Sequence, residues 1–593
     1  MVTKSEQIEF FSKELEELEF EVKETFEVPA VSLLKSGKLF IIQYKGYDER
    51  RGNAFFDIKN LPGYHTPRID QLLNCFKLQE DKMLPNQWGN LTYSDLLEPL
   101  NSEVDMSETK LVDYMKSNRE GWIRMILNQM NVEFIESLKY NDILGLGPTI
   151  PPFEYLLNLK NFSEKLVSNG TNPWDKILNF SYSYELDRQP ELIDERIDIA
   201  EFIIDEVNKN KVFIFQGPPG TGKTYQVADV VSRLARNNFS VLITSLTNKA
   251  AVEVCEKPFL SDLMANNKVF KTSLSSSELS TFPKLKYAKE IKPVKGEVLL
   301  STYYQFSKYW EVSYDINSED NLFDYVVVEE ASQAFLTTIA AAFKVGHKVI
   351  IVGDPLQIQP IVKNKNYRNI ADKIDLLVNG LKTICDFKEI PFYRKVETRR
   401  LTSRATDYTN VFYRNTIVSK ALNQHLNSDV EKLGFLGKFI HPKGGPTLIL
   451  KEYSDRTVKN AIPFLIRAID DITISRSGSV AVLTPFIDTL ILLQKELKSN
   501  TSSTNYLIET VDRVQGLDVD YCFYIMPDKN YRFSFYLNRF NVATSRSKKA
   551  TFIIADKEFY LKSALIEEPG NYLRKLLNDF CFVEINGSFI KKI

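Results

Sequence analysis

Short apolar runs alternate with stretches of helical periodicity from residue 186 onwards. Runs rich in β-branched and aromatic residues, such as 212–215 and 480–484, are typical of buried parallel strands. Apolar residues at helical spacing follow them, as in 225–236. Strands that alternate with helices in this way predict doubly wound parallel sheets. Further strands are predicted at 240–245, 297–302, 323–330, 348–354, 447–450, 521–525 and 550–555.

The first 185 residues follow another pattern. Residues 4–24 predict an acid-rich amphipathic helix, and the alternating runs 38–44 and 53–58 predict a hairpin or a small barrel. Residues 107–139 show helical spacing, and a Gly- and Pro-rich break follows at 141–152. The fold class that we expect is α/β, with two tandem cores and an N-terminal helical plus β accessory region. The predicted boundaries are 1–185 for the accessory region, 186–395 for the first core with an insertion at about 258–296, and 396–593 for the second core.

A glycine-rich segment joins the first strand of the first core to its helix. Residues 217–224 read GPPGTGKT and fit the motif G-x-x-x-x-G-K-[ST] without a mismatch. The glycines let backbone N–H groups cradle phosphate oxygens, and the following helix adds its positive end. Lys223 would reach the β- and γ-phosphates, and the hydroxyl of Thr224 would hold Mg²⁺. The predicted nucleotide-binding residues are Gly217, Pro218, Pro219, Gly220, Thr221, Gly222, Lys223, Thr224 and Tyr225.

Two further strands end in polar residues. The run 326–328 ends in Glu329 and Glu330, and the carboxyl ends of strands face the ligand in such sheets. We expect Glu329 to complete the Mg²⁺ shell, mainly through waters, and Glu330 to orient and deprotonate an attacking water. Gln357, in the segment GDPLQIQP at 353–360, can report the γ-phosphate without adding charge.

Composition limits the classes of partner. The chain has 75 basic and 77 acidic residues and a net charge of −2, so binding to nucleic acid needs a locally basic groove. The five cysteines form no CxxC pair, which argues against zinc and iron–sulfur modules and favours a reducing compartment. The N-terminus is charged, and no apolar run approaches membrane-spanning length, so we expect a cytoplasmic protein without a membrane partner.

As a set, these motifs resemble those of the superfamily 1 helicases, in the branch that contains the nonsense-mediated-decay helicase and the immunoglobulin mu-binding helicase. Members pair QGPPGTGKT with DEA(S/A)Q and GDxxQLxP, and the counterparts here are 216–224, 329–333 and 353–360. Weaker matches follow in the family's order over more than half the chain, but not in the first two hundred residues. These matches lie at 244–253, 300–305, 397–413, 481–486, 510–518 and 541–548.

The resemblance implies two RecA-like cores that close on ATP and Mg²⁺. It also implies 5′-to-3′ movement along single-stranded DNA or RNA. Arg399 and Arg546 would reach across the cleft to the γ-phosphate, with Arg400 as an adjacent competitor of Arg399. Gln357 would couple γ-phosphate occupancy to the nucleic-acid groove.

Other site residues are implied by position within the matched motifs. Gly516 and Asp518 would contact phosphate and ribose respectively. Strand-end residues of both cores would bind the nucleic-acid backbone and bases. These nucleic-acid-binding candidates are Ser245, Thr247, Asn248, Thr302, Thr484 and Pro485.

Two departures from the family pattern leave alternatives open. Glu329 stands where the family usually has Asp, and Thr398 stands where a family Tyr stacks on adenine, so selectivity between ATP and other NTPs is not determined. One alternative is a nucleotide switch or sensor that recruits a protein partner, for instance through its N-terminal region, without unwinding. The other is a helicase–nuclease fusion, because Asp57 and Lys59 have the D-x-K spacing of some metal nucleases.

Overall fold

The structure is a computed structural model of the chain. It describes residues 2–69, 71–100, 104–151, 153–165, 172–193, 197–312, 322–363, 371–422, 425–451, 458–501, 506–514, 516–527, 531–556, 567–579, 582–586 and 589–592.

The N-terminal region contains a closed six-stranded barrel with strand order β1-β2-β5-β4-β3-β6, in which every neighbouring pair is antiparallel. Its interior is filled by apolar side chains from alternate positions, among them Phe40, Ile42 and Phe56. The predicted small barrel is therefore confirmed. Its strands are β1 (Phe40–Asp48), β2 (Asn53–Lys59), β3 (Leu72–Lys77), β4 (Met106–Lys116), β5 (Trp122–Asn128) and β6 (Ile143–Gly147).

The helical prediction for 107–139 is wrong for most of that range. Strands β4 and β5 occupy it, and only the short helix at Val132–Glu136 follows them. A bulge lies between Leu111 and Asp113 in the pairing of β4 with β5. An extra residue of this kind shifts the alternation of inward and outward side chains. The sequence therefore lacks the clean period of two that identifies a strand.

Helices attach this barrel to the rest of the molecule. The first helix begins with a capping box, in which Thr3 and Glu6 satisfy each other's backbone N–H groups. Its residues Phe10 and Phe11 pack edge-on against Phe335 of the first core, with ring centroids 6.0 and 5.7 Å apart. The N-terminal helices are α1 (Lys4–Phe26), α2 (Ala30–Lys35), α3 (Tyr93–Leu97), α4 (Val132–Glu136), α5 (Phe153–Glu164) and α6 (Pro173–Leu178).

The first core is a nine-stranded, fully parallel sheet with apolar clusters on both faces, as the doubly wound prediction requires. Its strand order is β11-β10-β12-β9-β13-β14-β8-β15-β7. The strands are β7 (Glu191–Ile193), β8 (Val212–Gln216), β9 (Val241–Ser245), β10 (Val269–Lys271), β11 (Lys286–Tyr287), β12 (Val298–Thr302), β13 (Phe323–Val328), β14 (Gly346–Gly353) and β15 (Phe392–Lys395). The helices are α7 (Ile199–Asn210), α8 (Lys223–Arg236), α9 (Asn248–Glu253), α10 (Ser261–Ala265), α11 (Ser276–Thr281), α12 (Tyr303–Val312), α13 (Leu336–Val345), α14 (Ala371–Val378) and α15 (Gly380–Cys385).

The segment 258–296, expected as an insertion, extends the edge of this sheet through β10 and β11. It also carries the contact with the barrel. The Ser276 hydroxyl donates to the Gly52 carbonyl at 2.9 Å, and the Ser276 N–H donates to the Met130 carbonyl at 2.7 Å. A Cβ at Gly52 would lie 2.5 Å from the Ser276 carbonyl oxygen. The close approach of the two backbones therefore requires glycine there.

The second core is a seven-stranded sheet with order β20-β19-β21-β22-β18-β23-β24, parallel except for its last pair. A two-stranded sheet, β16 (Glu397–Thr398) with β17 (Val418–Ser419), lies between the cores in sequence. The other strands are β18 (Gly445–Lys451), β19 (Val480–Thr484), β20 (Tyr506–Thr510), β21 (Val519–Ile525), β22 (Ser547–Asp556), β23 (Phe582–Asn586) and β24 (Phe589–Lys592). The helices are α16 (Ser403–Thr409), α17 (Asn427–Lys432), α18 (Ile462–Ser475), α19 (Ile487–Asn500), α20 (Tyr531–Ser534), α21 (Leu537–Thr544) and α22 (Glu567–Asn578).

The predicted fold class, two tandem α/β cores with a helical and β accessory region, is confirmed. The four cysteines among the described residues are buried and free. Within the described ranges, a helix long and apolar enough to cross a bilayer is not found.

Candidate nucleotide site and nucleic-acid edge

The phosphate loop has the geometry that its motif predicts. It leaves the buried strand β8 and enters α8 at Lys223. Gly220 and Gly222 have φ angles of +74° and +77°, which favour glycine over residues with a side chain. A Cβ on Gly217 would lie 2.1 Å from Cγ of Lys223. The Lys223 side chain thus packs across the loop against Gly217, where a larger residue would displace it.

Thr224 and Glu329 meet beside this loop. The Thr224 hydroxyl donates to Glu329 Oε1 at 2.9 Å. Glu329 is 3% exposed, and its Oε2 atom is buried with no hydrogen-bond partner among the described residues. A hydroxyl and a carboxylate oxygen with unused acceptor capacity fit Mg²⁺, which prefers oxygen ligands and keeps several waters. The pair predicted from sequence as metal ligands is therefore brought together.

Burial shifts the pKa values of three charged side chains in this cleft. Desolvation, reinforced by the charge of Glu330, raises the pKa of Glu329 to about 7. Desolvation and the charge of Glu253 raise the pKa of Glu330 to about 7 as well. Burial lowers the pKa of Lys223, and the charges of Asp354 and Glu329 oppose that shift. Acidic and basic side chains whose pKa values are all shifted within one cleft are typical of a functional centre.

Arg400 of the second core faces the phosphate loop. A Cβ on Gly220 would lie 2.3 Å from Cβ of Arg400, so the two segments touch. The Nε atom of Arg400 lies 2.7 Å from Asp518 Oδ1, and its charge contributes to the lowered pKa of Lys223. Arg399, the arginine predicted for this role, is exposed, and its backbone N–H donates to the Gly220 carbonyl at 2.9 Å.

Arg546 lies on the same side of the cleft and is 1% exposed. Its Nε atom donates to the Val542 carbonyl at 2.9 Å. Burial, followed by repulsion from Arg400, lowers the pKa of Arg546 to about 9. The charge of Arg546 also contributes to the shifts of Lys223 and Glu330. Arg546 therefore belongs to the same charged cleft as Lys223 and Glu330.

Gly516 and Asp518 lie at the same junction. Gly516 has a φ of +80°, and a Cβ there would be 3.8 Å from Glu253 Oε2 and 3.9 Å from Glu330 Oε1. Asp518 pairs with Arg400 and also lies 3.3 Å from Lys548. Gln515, within the same predicted motif, lies outside the described residues. The matched segment 510–518 therefore borders Glu253 and Glu330.

A buried polar network joins the two cores beside this site. Asp354 accepts hydrogen bonds from Gln216 at 2.9 Å, from Gln357 at 3.1 Å and from the Tyr413 hydroxyl at 2.6 Å. Asn541 of α21 then donates to the Tyr413 hydroxyl at 2.8 Å. Gln357, predicted to report the γ-phosphate, is thus tied to groups of the second core. The sequence pattern did not identify the Asp354–Tyr413 contact.

The nucleic-acid candidates of the first core gather at one edge. Ser245 and Thr302 end the neighbouring strands β9 and β12 and pair in register. Thr247 and Asn248 are exposed just beyond, and Asn248 Oδ1 accepts from the buried Lys271 at 2.8 Å. The buried Ser245 hydroxyl donates to the Thr247 carbonyl, so it has a local structural role. Because all strands of this sheet are parallel, this edge continues to the phosphate loop after β8.

The second core presents a comparable edge. Thr484 pairs with Thr510 in the β19–β20 register, and its buried hydroxyl oxygen has no hydrogen-bond partner within the described part of the chain. Pro485 follows and is buried.

A cavity of about 710 Å³ lies at the seam between the cores. Its lining includes Ile358, Pro360 and Ile361 of the first core and Phe533, Tyr536 and Arg539 of the second.

Tyr225 and Thr398 lie beside the phosphate loop. Tyr225 is 46% exposed, and its ring lies edge-on to Phe259 with centroids 4.8 Å apart. The Thr398 hydroxyl donates to the Pro219 carbonyl at 2.8 Å. Thr398 therefore supports the phosphate loop from the second core.

The candidate nuclease pair is not arranged as a metal site. Arg124 donates to both oxygens of Asp57, at 2.8 and 3.2 Å, and the Ser117 hydroxyl donates to it at 3.2 Å. Lys59 is exposed, and its ammonium lies over the Tyr64 ring at 5.4 Å. Among the residues that the structure describes, no group of three or more His, Cys, Asp or Glu side chains could hold a metal ion. Asp57 therefore acts as the partner of Arg124 in the barrel.

We expect Asp57→Ala to lower the free energy of unfolding by about 3 kcal/mol, because it leaves Arg124 without its carboxylate. Urea denaturation followed by circular dichroism measures this change. Asp113→Ala, at an exposed position on the same barrel, is the matched control and should change stability little. Metal-dependent strand cleavage that disappears in Asp57→Ala without a loss of stability would contradict this assignment.

Comparison with known proteins gives matches to both cores. Two family profiles, each described as an AAA domain, match residues 200–363 and 383–558. The DNA replication ATP-dependent helicase/nuclease DNA2 of Saccharomyces cerevisiae is 23% identical over 400 residues, which is 60% of this chain and 25% of that protein. A regulator of nonsense transcripts 1 homolog of Neurospora crassa is 24% identical over 247 residues, or 36% of this chain and 22% of that protein. Putative helicase mov-10-B.1 of Danio rerio is 21% identical over 462 residues, or 67% of this chain and 44% of that protein.

The paired sheets and the cleft between them define a P-loop NTPase with two tandem RecA-like cores. With the matched profiles and these relatives, the chain belongs to the superfamily 1 helicases. The chain spans less than half the length of each relative described above.

Proposed function

We propose that the protein hydrolyses ATP at the seam of its two cores and uses the cycle to move along single-stranded nucleic acid, as a translocase or helicase. The observation that carries this proposal is that Arg400 and Thr398, from the second core, lie directly against the phosphate loop of the first core. A nucleotide held by the loop lies between the cores in this arrangement. Loss of its terminal phosphate would weaken the attraction that holds the cores together.

Each side chain of the cleft has a distinct role in this proposal. Thr224 and Glu329 would hold Mg²⁺, which would neutralise negative charge on the phosphates. Lys223 would bind the β- and γ-phosphates. Glu330 would accept a proton from the attacking water, and its raised pKa suits a base near neutral pH. Gln357 would orient toward the γ-phosphate while its Asp354 contact links it to Tyr413.

Arg546 and Arg400 would supply the guanidinium groups that stabilise charge on the transferring phosphoryl group. Arg400 takes the place for which the sequence favoured Arg399. This choice is supported by the ion pair of Arg400 with Asp518 and by the exposure of Arg399. Asp518 would then orient Arg400 in addition to contacting the ribose.

Alanine substitution separates the two neighbouring arginines. We expect Arg400→Ala to lower strand-stimulated kcat by roughly a hundredfold, as removal of a charge-stabilising donor does. Arg399→Ala, the matched control one residue away, should lower kcat by less than about threefold, because an exposed side chain contributes little to the reaction centre. Steady-state ATPase assays measure both variants. The reverse order of effects would return the role to Arg399.

The polynucleotide would cross the carboxyl edges of both sheets. In the first core it would meet the exposed Thr247 and Asn248 and the strand end at Thr302, and in the second core the strand end at Thr484 and Pro485 with its neighbours. Backbone-directed contacts of this kind bind a strand without sequence preference. The aromatic side chains at the seam cavity could stack on bases.

The experiment that tests the function compares ATP hydrolysis with and without single-stranded DNA and RNA, together with unwinding of duplexes that carry a 5′ or a 3′ single-stranded tail. We expect strand-stimulated hydrolysis and unwinding from the 5′ tail, with Lys223→Ala inactive in both assays. Hydrolysis that neither polymer stimulates, without unwinding, would favour a nucleotide switch that recruits a protein partner.

A further inference from the structure

A buried tyrosine joins the nucleic-acid edge of the first core to the two acids of the nucleotide site. Tyr303 is the first residue of α12 and directly follows Thr302, the last residue of β12. Its side chain is fully buried, and its hydroxyl donates to the backbone carbonyl of Glu329 at 2.6 Å. Burial raises the pKa of Tyr303 well above its ordinary value, so the hydroxyl keeps its proton and remains a donor.

This hydrogen bond acts on the peptide unit between the two acids. The carbonyl of Glu329 and the N–H of Glu330 belong to one planar group, so a contact that fixes the oxygen also fixes the nitrogen of Glu330. Glu330 has a φ of +53°, in the left-handed region that residues with a Cβ rarely adopt. On the other side, the Glu329 N–H donates to the Thr244 carbonyl at 2.8 Å. The direction of the Glu330 side chain therefore depends on the Tyr303 hydroxyl.

The connection from Thr302 to Tyr303 is short and stiff. The Thr302 hydroxyl oxygen accepts from the Gln305 N–H at 3.3 Å, which ties the strand end to the first turn of α12. The Tyr303 ring is enclosed in the apolar cluster that also contains Tyr155 and Phe306. A ring in a close-packed interior cannot turn independently of its backbone. A displacement of the strand end would therefore be carried to the Tyr303 hydroxyl.

We propose that Tyr303 is a positioning residue that transmits strand binding at Thr302 to Glu330 through the Glu329 carbonyl. The inference rests on the proposed function, because it concerns how the strand stimulates hydrolysis. A polynucleotide that binds and displaces Thr302 would move the Tyr303 ring. This movement would rotate the peptide between Glu329 and Glu330 and direct the Glu330 carboxylate toward the attacking water.

The test is Tyr303→Phe, which removes one hydroxyl and keeps the ring. We expect kcat at saturating single-stranded DNA or RNA to fall roughly tenfold, since small misplacements of a catalytic group carry large rate penalties. KM for ATP should change by less than about twofold, because the phosphate loop is untouched. Tyr155→Phe is the matched control: Tyr155 is buried in the same cluster, but its hydroxyl bonds Thr338 at 2.6 Å. This control should keep the wild-type kcat and KM.

A double-mutant cycle with Thr302→Ala examines the connection itself. If Tyr303 carries the signal from Thr302, the two substitutions together should reduce strand stimulation no further than the stronger one alone. Full additivity, or wild-type stimulation in Tyr303→Phe, would overturn the inference while leaving the proposed function intact. A wild-type protein whose hydrolysis no strand stimulates would instead refute the proposed function.

Discussion

Glu330→Gln should lower the kcat of strand-stimulated ATP hydrolysis roughly a thousandfold, because an amide cannot accept the proton of the attacking water. The substitution changes one atom of the side chain and preserves its shape, so the left-handed backbone at this position has no new strain to absorb. Lys223, Thr224 and Glu329 remain in place. Nucleotide binding should therefore persist, and a fluorescent ATP analogue should bind Glu330→Gln with nearly wild-type affinity.

Two comparisons make this prediction specific. Glu256→Gln makes the same change at an exposed carboxylate near the end of α9, paired only loosely with Lys257 at 3.7 Å, and should leave kcat unchanged. Glu253→Gln removes the carboxylate whose charge raises the pKa of Glu330, and it should have an intermediate effect. Hydrolysis in Glu330→Gln within about threefold of wild type would show that another group activates the water, with Glu253 as the first candidate.

Local sequence determines the phosphate loop and the strand ends, which is why those parts could be predicted. Residues 217–224 need no distant partner to adopt their turn, since the glycines and the helix start are all within the motif. The acids at 329 and 330 follow an apolar run whose burial on both faces is evident from its composition. Parallel pairing then brings the ends of β8, β9, β12 and β13 to one edge without further information.

Contacts between distant residues account for what the sequence did not show. Asp354 and Tyr413 both lie in matched segments, but those segments do not indicate that the two residues meet, because their hydrogen bond joins positions 59 apart in different cores. The choice between Arg399 and Arg400 depends on which side chain the turn after β16 directs toward Asp518. Tyr303 reads as an ordinary apolar residue of α12, and only its approach to Glu329 reveals a polar role.

The barrel shows a different limit. Its strand β4 is long enough to recognise, but the bulge after Leu111 interrupts the alternation of inward and outward side chains in that strand. Closure of the barrel then depends on six strands that pair out of sequence order. Periodicity within one segment carries no information on that pairing. The accessory region was accordingly predicted by type and not by topology.

Arg546→Lys should lower strand-stimulated kcat roughly a thousandfold, the range associated with loss of an arginine that stabilises phosphoryl transfer. Arg546 is held by carbonyl oxygens of Val542, Val514 and Leu517, which fix the plane of its guanidinium. Lysine retains the positive charge but has a single ammonium, so it cannot keep those contacts and reach the γ-phosphate together. The expected loss is therefore in kcat, with a smaller change in KM for ATP.

Arg404→Lys separates this catalytic role from the cost of disturbing a buried arginine. Arg404 is also buried in the second core, and it donates to the carbonyls of Gly444 at 2.6 Å and Pro446 at 2.9 Å. Both variants should lower Tm by similar amounts, because each loses hydrogen bonds to backbone carbonyls. Only Arg546→Lys should lose hydrolysis. Equal activity in the two folded variants would show that Arg546 serves the packing of α21 against β22 and not the reaction. Arg400 alone would then stabilise the charge on the transferring phosphoryl group.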